Sequence, residues 1–172
     1  MSDIRLPTGD EHSHAMRWDD NSRGINYLIE RGRLERVTPR QQTAEHLISE
    51  AHRHLISAQV LAGTDDLSMS FVAAYDAARK ALSAILAVQG IRAKGGDGGH
   101  AVLLDAVRPQ FPDYKRELQR FDWMRTVRNN IEYPDFSTPS ATAEDVAEAR
   151  IAAAVIVDLA EQYVGGQFVS SV

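Results

Sequence analysis

Apolar residues return at helical spacing in one stretch of this chain after another, and the breaks between stretches hold glycine, proline and capping residues. Ala44, Leu47, Ile48, Ala51, Leu55 and Ala58 fall on one stripe, and Phe71, Tyr75, Ala78, Leu82, Ile85 and Leu86 on a second. Steps of three and four residues place such positions on one face of an α-helix, whereas a half-buried strand needs strict alternation. Gly63-Thr64-Asp65-Asp66 between the stripes supplies a stop and the cap of the next helix, so the two should fold back as an antiparallel hairpin. Aromatic residues make up only 7% of the chain, which suits packed helices better than sheets of aromatic and β-branched strands. The expected fold class is therefore all-α, an antiparallel bundle of four to five main helices, with no strand required anywhere.

The remaining punctuation sets the other boundaries. A short helix is expected over Ser22 to Arg36. Thr38-Pro39-Arg40-Gln41 reads as a helix start, with threonine as N-cap, proline in the first turn and glutamine closing a capping box; that helix runs to about Ala62. The second stripe continues to Gly90, after which Lys94-Gly95-Gly96-Asp97-Gly98-Gly99 cannot hold regular structure and should be the most flexible internal loop. A short helix from His100 to Arg108 is closed by Pro109 and Pro112, and Asp113 is placed to cap another from Tyr114 to about Ile131, which Pro134 ends. Thr142-Ala143-Glu144-Asp145 forms a second capping box, opening a last helix to about Val164. Because Ile151 to Ala160 is apolar nearly all round apart from Asp158, that helix should be central in the bundle or shared with a second chain. A chain of 172 residues fits one domain: an arm over 1–20 containing His12, His14 and Trp18, a single helical domain over 21–165, and a tail over 166–172.

Several function classes are disfavoured. The chain has no cysteine, which removes disulfides and thiolate zinc sites and fits a reducing, cytoplasmic setting. No apolar run reaches the roughly 18 residues a bilayer requires, so no membrane partner is expected. A formal charge of -5 argues against a general affinity for phosphate backbones, and any nucleic-acid site must be local. His46, Glu50 and His54 share helical spacing, but the two histidines stand two turns apart, too far to share an ion, and no metal is expected. The glycine loop lacks the lysine-then-hydroxyl ending of a phosphate-binding loop, and nothing calls for a cofactor.

One residue breaks the pattern. On the helix after Asp113, Tyr114, Leu118, Phe121, Met124, Val127 and Ile131 form a broad apolar arc, and Arg128 lies inside it, about 30° from its centre at about 100° per residue. An unpaired buried guanidinium is strongly unfavourable, so Arg128 must meet a carboxylate, for which Asp76 and Asp158 are candidates, or an anionic ligand, or a solvated cleft. A structural ion pair, or a side chain reaching out to water, is the plainer explanation.

Arg128-Asn129-Asn130-Ile131-Glu132-Tyr133, near the end of a long helix, resembles the signature of the HEPN family: an arginine, a polar residue after it, then a histidine. In that family the histidine follows a few positions on, and here Tyr133, Pro134 and Asp135 stand in its place. Ala74-Tyr75-Asp76-Ala77-Ala78-Arg79-Lys80-Ala81-Leu82, the loop ending Gly98-Gly99-His100, and Glu132-Tyr133-Pro134-Asp135 resemble an actinobacterial-type branch of the family, over roughly Leu34 to Ala160. The resemblance implies a helical bundle that dimerises with its signature helices beside a shared cleft, and a metal-independent endoribonuclease in active members. There the arginine holds the scissile phosphate while histidine moves the proton of the attacking ribose 2′-hydroxyl.

The signature thus nominates Arg128, Asn129, Glu132 and Tyr133 as catalytic candidates. Arg128 fits the phosphate role. Tyr133 is a poor base, because a phenol titrates near pH 10, and Glu132 needs desolvation that a neighbouring arginine opposes. Arg116, Arg120 and Arg125 with Trp123 interleaved give the helix a basic, aromatic face suited to single-stranded RNA, although such residues are more often a solvated surface. His100 is the one internal histidine that the fold could bring to Arg128. The resulting expectation is an RNA-binding or RNA-cleaving module of a toxin-antitoxin or phage-defence system, a homodimer with a cleft centred on Arg128. The other reading is a catalytically silent helical adaptor that binds a cognate antitoxin or a nucleotidyltransferase through the same groove.

Overall fold

Residues 22–30 form helix α1 in the computed structural model, which describes residues 22–95, 99–135, 137 and 140–166. The expected arm over 1–20 lies outside the described residues, as do 167–172 of the tail and 96–98 of the glycine loop. Ile25 and Leu28 turn α1 into the core. The helix does not reach Arg36: Gly32 takes φ 70°, in the left-handed region that glycine enters without penalty, and the chain continues as strand β1 (Leu34–Arg36).

The strand is a correction to the expectation that none was needed. β1 pairs antiparallel with β2 (Ile91–Ala93), Leu34 opposite Ala93 and Arg36 opposite Ile91, which buries Leu34 and Ile91 on the bundle. The ribbon also displaces the expected capping box. Val37 N–H donates to the Gly90 carbonyl at 2.9 Å and Arg40 N–H to the Ala87 carbonyl at 3.2 Å, so 37–40 run extended along the end of the next helix. Helix α2 (Gln41–Ala62) accordingly starts at Arg40, without a side-chain cap. Gly90 is forced twice over, by φ 70° and by space, since a Cβ there would sit 2.7 Å from the Val37 carbonyl oxygen.

The expected hairpin is present. α2 ends at Gly63, and Asp66 caps helix α3 (Leu67–Val88) by accepting from Met69 N–H at 3.1 Å. α3 is the centre of the molecule and packs against α2, β2 and three further helices, α4 (Gly99–Val107), α5 (Lys115–Glu132) and α6 (Ala143–Val164). Ala74, Ala77, Ala78, Ala81 and Ala84 are fully buried along it, and these short side chains let neighbouring helices approach closely. Asp113 does not cap α5; it lies in a single 3-10 turn, Pro112–Tyr114, that leads into the helix. The capping box of α6 forms as read, Asp145 N–H donating to Thr142 Oγ1 at 3.1 Å and Thr142 N–H to Asp145 Oδ2 at 2.9 Å. α6 is core on one side only, because Ile151, Ala154 and Asp158 are exposed. The architecture is all-α, with the two-stranded ribbon as its one addition among the described residues. No helix in the described residues is long and apolar enough to cross a membrane.

Candidate functional site

The apolar arc of α5 carries Arg128 into the molecule. Leu118, Phe121 and Met124 are fully buried, and Arg128 follows on the same face with its side chain 24% exposed. Its Nη2 lies 3.0 Å from Glu132 Oε2, one turn along the same helix. Its Nε is buried and has no hydrogen-bond partner among the described residues. Neither expected carboxylate serves it. Asp76 accepts from Arg79 Nε at 3.2 Å, and Asp158 is exposed and accepts from Gln162 at 2.7 Å. One buried guanidinium donor therefore has no acceptor among the described residues, an arrangement that costs free energy unless water or a ligand supplies one.

The facing wall is built by α3 and α4. Tyr75 is fully buried, stacks on Phe121 of α5 at 5.2 Å between ring centroids, and its hydroxyl lies 2.8 Å from His100 Nδ1. This bond fixes the first turn of α4 against the centre of α3. Burial raises the Tyr75 phenol to about 12, so it stays protonated at any working pH. Burial likewise lowers His100 below its ordinary value, and the nearby Arg79, Arg128 and Arg125 cations lower it further, against a smaller opposing effect of Asp76. His100 is thus neutral near pH 7, with one ring nitrogen engaged by Tyr75 and the other available. The same three arginines act on the Tyr75 phenol, lowering it against the larger effect of burial.

The other nominated residues divide. Asn129 is half-buried beside Arg128, Glu132 is exposed and ion-paired to it, and Tyr133, the C-cap of α5, is 75% exposed and away from the cluster's buried groups. Arg125 sits 27% exposed, paired to Asp122 at 3.0 Å. Arg120 pairs with Glu148 at 2.8 Å, 6.0 Å from the Trp123 ring centre. Trp123 is no open stacking platform, since it packs edge-on against Phe71 at 5.5 Å as part of the core margin. Arg116 lies exposed on the same helix. Two members escaped the sequence reading: Tyr75 was read only as core, and Arg79 only as part of a similar stretch. The available signal was an ionic pair, Asp76 and Arg79, set at helical spacing into a helix that is largely apolar.

Beside the cluster lies a cavity of about 530 Å³ between the β-ribbon, the start of α2, α3 and α4. Arg79 and His100 belong to its walls and Arg128 does not, so the concavity is centred one helix away from the position expected. Among the described residues no three histidine or carboxylate side chains converge to hold a metal, and His46 is exposed on α2.

A family model described as HEPN domain matches residues 44–163, the stretch that contains α3, His100, α5 and the start of the signature at Arg128. No curated protein and no solved structure matches the chain.

Proposed function

Because this chain belongs to the HEPN family, we propose that it binds RNA and cleaves it without a metal, with a histidine drawn from a different helix than the signature. The observation that carries the reading is Arg128, whose buried Nε has no acceptor among the described residues, on the helix whose Phe121 stacks on Tyr75, the residue that holds His100. A phosphodiester supplies the missing acceptor, and permanent cations stabilise the charge that grows on its oxygens in the transition state. In the tautomer with the proton on Nδ1, donated to the Tyr75 oxygen, His100 Nε2 carries the lone pair. It takes the proton of the ribose 2′-hydroxyl as that oxygen bonds to phosphorus. The bond from phosphorus to the 5′-oxygen breaks and that oxygen takes a proton from water, leaving a 2′,3′-cyclic phosphate and a 5′-hydroxyl, while protonated His100 returns its proton to solvent.

The reading includes a homodimer, which the exposed Ile151 and Ala154 on one face of α6 support, and a setting in toxin-antitoxin or phage-defence systems with a cognate antitoxin or nucleotidyltransferase as partner. The replacement of the signature histidine by Tyr133, Pro134 and Asp135 favours a second reading, a catalytically silent adaptor that binds its partner through the same face. Incubating single-stranded RNA with wild-type protein, Arg128→Ala and His100→Ala separates the two. Cleavage by the wild type that both substitutions abolish supports the nuclease. Cleavage unaffected by His100→Ala removes the proposed base, and no cleavage by any of the three favours the adaptor.

A further inference from the structure

The cavity beside the cluster has a charge pattern opposite in sign to the net charge of the chain. The chain carries a net charge of -5, yet Arg40, Arg79, Arg92, Lys94 and His100 stand in the cavity walls with no carboxylate among the described lining residues. Arg79 and Arg92 share their charge with Asp76 and Glu35, which lie outside the walls, at 3.2 and 2.8 Å. Arg40 and Lys94 have no ion-pair partner among the described residues. Their backbones are nonetheless pinned, Arg40 N–H to the Ala87 carbonyl at 3.2 Å and Lys94 N–H to the Arg33 carbonyl at 3.0 Å. Both are exposed cations that line the cavity on anchored main chain.

The remaining walls are mostly apolar, with Leu47, Ala87, Ile91 and Leu103 among them, and carry the hydroxyls of Thr38, Thr43 and Ser83. The volume of about 530 Å³ falls within the range of small-molecule sites, about 300–1,000 Å³. A mostly apolar chamber with cations and no carboxylate among its described lining residues fits a ligand that has an apolar or planar body and an anionic head, since each part then finds its complement. We propose that this cavity binds a small organic anion, its body against Leu47, Ala87 and Leu103 and its phosphate or carboxylate on Arg40 and Lys94. Such a ligand reaches Arg79 and His100, which line the cavity, so its occupancy couples to the Tyr75–His100 pair. The site does not depend on RNA chemistry and is tested without RNA.

The probe is 8-anilinonaphthalene-1-sulfonate, a fluorescent anion with a planar apolar body, titrated into the full chain. Wild type should bind one molecule per chain, Ala87→Trp should remove binding by filling the chamber, and Arg40→Glu with Lys94→Glu should weaken it at least tenfold. The double charge reversal lies on the surface, so an unchanged melting profile by circular dichroism separates lost binding from lost folding even if Ala87→Trp fails to fold. Displacement of the probe by decanoate identifies a carboxylate head and displacement by phenyl phosphate a phosphate head; either supports the site. No probe binding by folded wild type, equal binding by the charge-reversed variant, or displacement by neither competitor overturns it.

Discussion

The end of α5 and the start of α4 face each other across the cluster, and they are built in opposite ways. At the end of α5 the chemistry is close in sequence and poorly satisfied: Arg128 reaches Glu132 one turn on, its Nε has no acceptor, and Tyr133 is exposed. At the start of α4 the chemistry comes from distant sequence and is tightly held, His100 on Tyr75 at 2.8 Å and Tyr75 stacked on Phe121. One side offers donors in want of an anion and the other a neutral imidazole fixed in place. A linear signature reports only the first side, because its residues share a helix, whereas the second exists only once α4 has docked on α3.

The comparison is broken most directly by activity. Removing a donor that holds transition-state charge costs about 10²–10³ in rate, and removing a general base about 10²–10⁴. Arg128→Ala and His100→Ala should each lower RNA cleavage on those scales, while Tyr133→Phe leaves it unchanged. A Tyr133→Phe variant that loses activity, with His100→Ala retaining it, would return the proton transfer to the signature.

Tyr75→Phe tests whether the α4 side is held as tightly as its geometry implies. The substitution keeps the stack on Phe121 but leaves the half-buried His100 Nδ1 without its partner, and an unsatisfied buried polar group costs about 1–3 kcal/mol. Urea denaturation should show a loss within that range. A loss near zero would mean that water replaces the phenol and that the imidazole is not fixed.

His100 also makes the α4 side sensitive to acid. Its folded value is lowered by burial first and then by the Arg79, Arg128 and Arg125 cations, against Asp76, while in the unfolded chain it titrates near 6.5. The unfolded state then binds more protons just below that value, so this group's contribution is complete above about pH 6.5 and is lost as pH falls toward the lower folded value. His54 is lowered in the same sense, by burial and then by Lys80, and adds to the trend. Stability measured at pH 7.5 and 5.5 should fall for the wild type and fall less for His100→Gln, the remainder belonging to His54. An equal drop in both proteins would place His100 in solvent.

What the sequence reveals follows the range of the forces involved. The Thr142 and Asp145 box was legible because both partners lie within one turn and nothing else competes for their groups. The box at Thr38 was not formed, since the Ala87 carbonyl takes the Arg40 N–H and the Gly90 carbonyl takes that of Val37, partners from far along the chain. The ribbon was missed because three residues a side give too little alternation to read. Arg128 stood out as a charge in an apolar arc, yet its partner did not: Asp76 is claimed by Arg79, one turn further on α3. The cavity cations come from distant parts of the chain, Arg40 at the start of α2 and Arg92 and Lys94 on and just after β2, so no local spacing joins them.

The smallest effect is expected at Glu132, and it decides what the ion pair on α5 is for. Glu132 is 45% exposed, and exposed pairs one turn apart contribute about 0.3–0.5 kcal/mol. Glu132→Gln should therefore leave the melting temperature within about a degree or two of wild type, as such increments do in a domain of this size. Its effect on RNA should go the other way from that of Arg128→Ala, because the carboxylate competes with phosphate for the same guanidinium and its removal frees Nη2. Tighter RNA binding in a filter assay at low salt, shrinking as salt screens the charges, is the expected result. If binding weakens instead, Glu132 acts by positioning Arg128, and the pair belongs to the site as a unit.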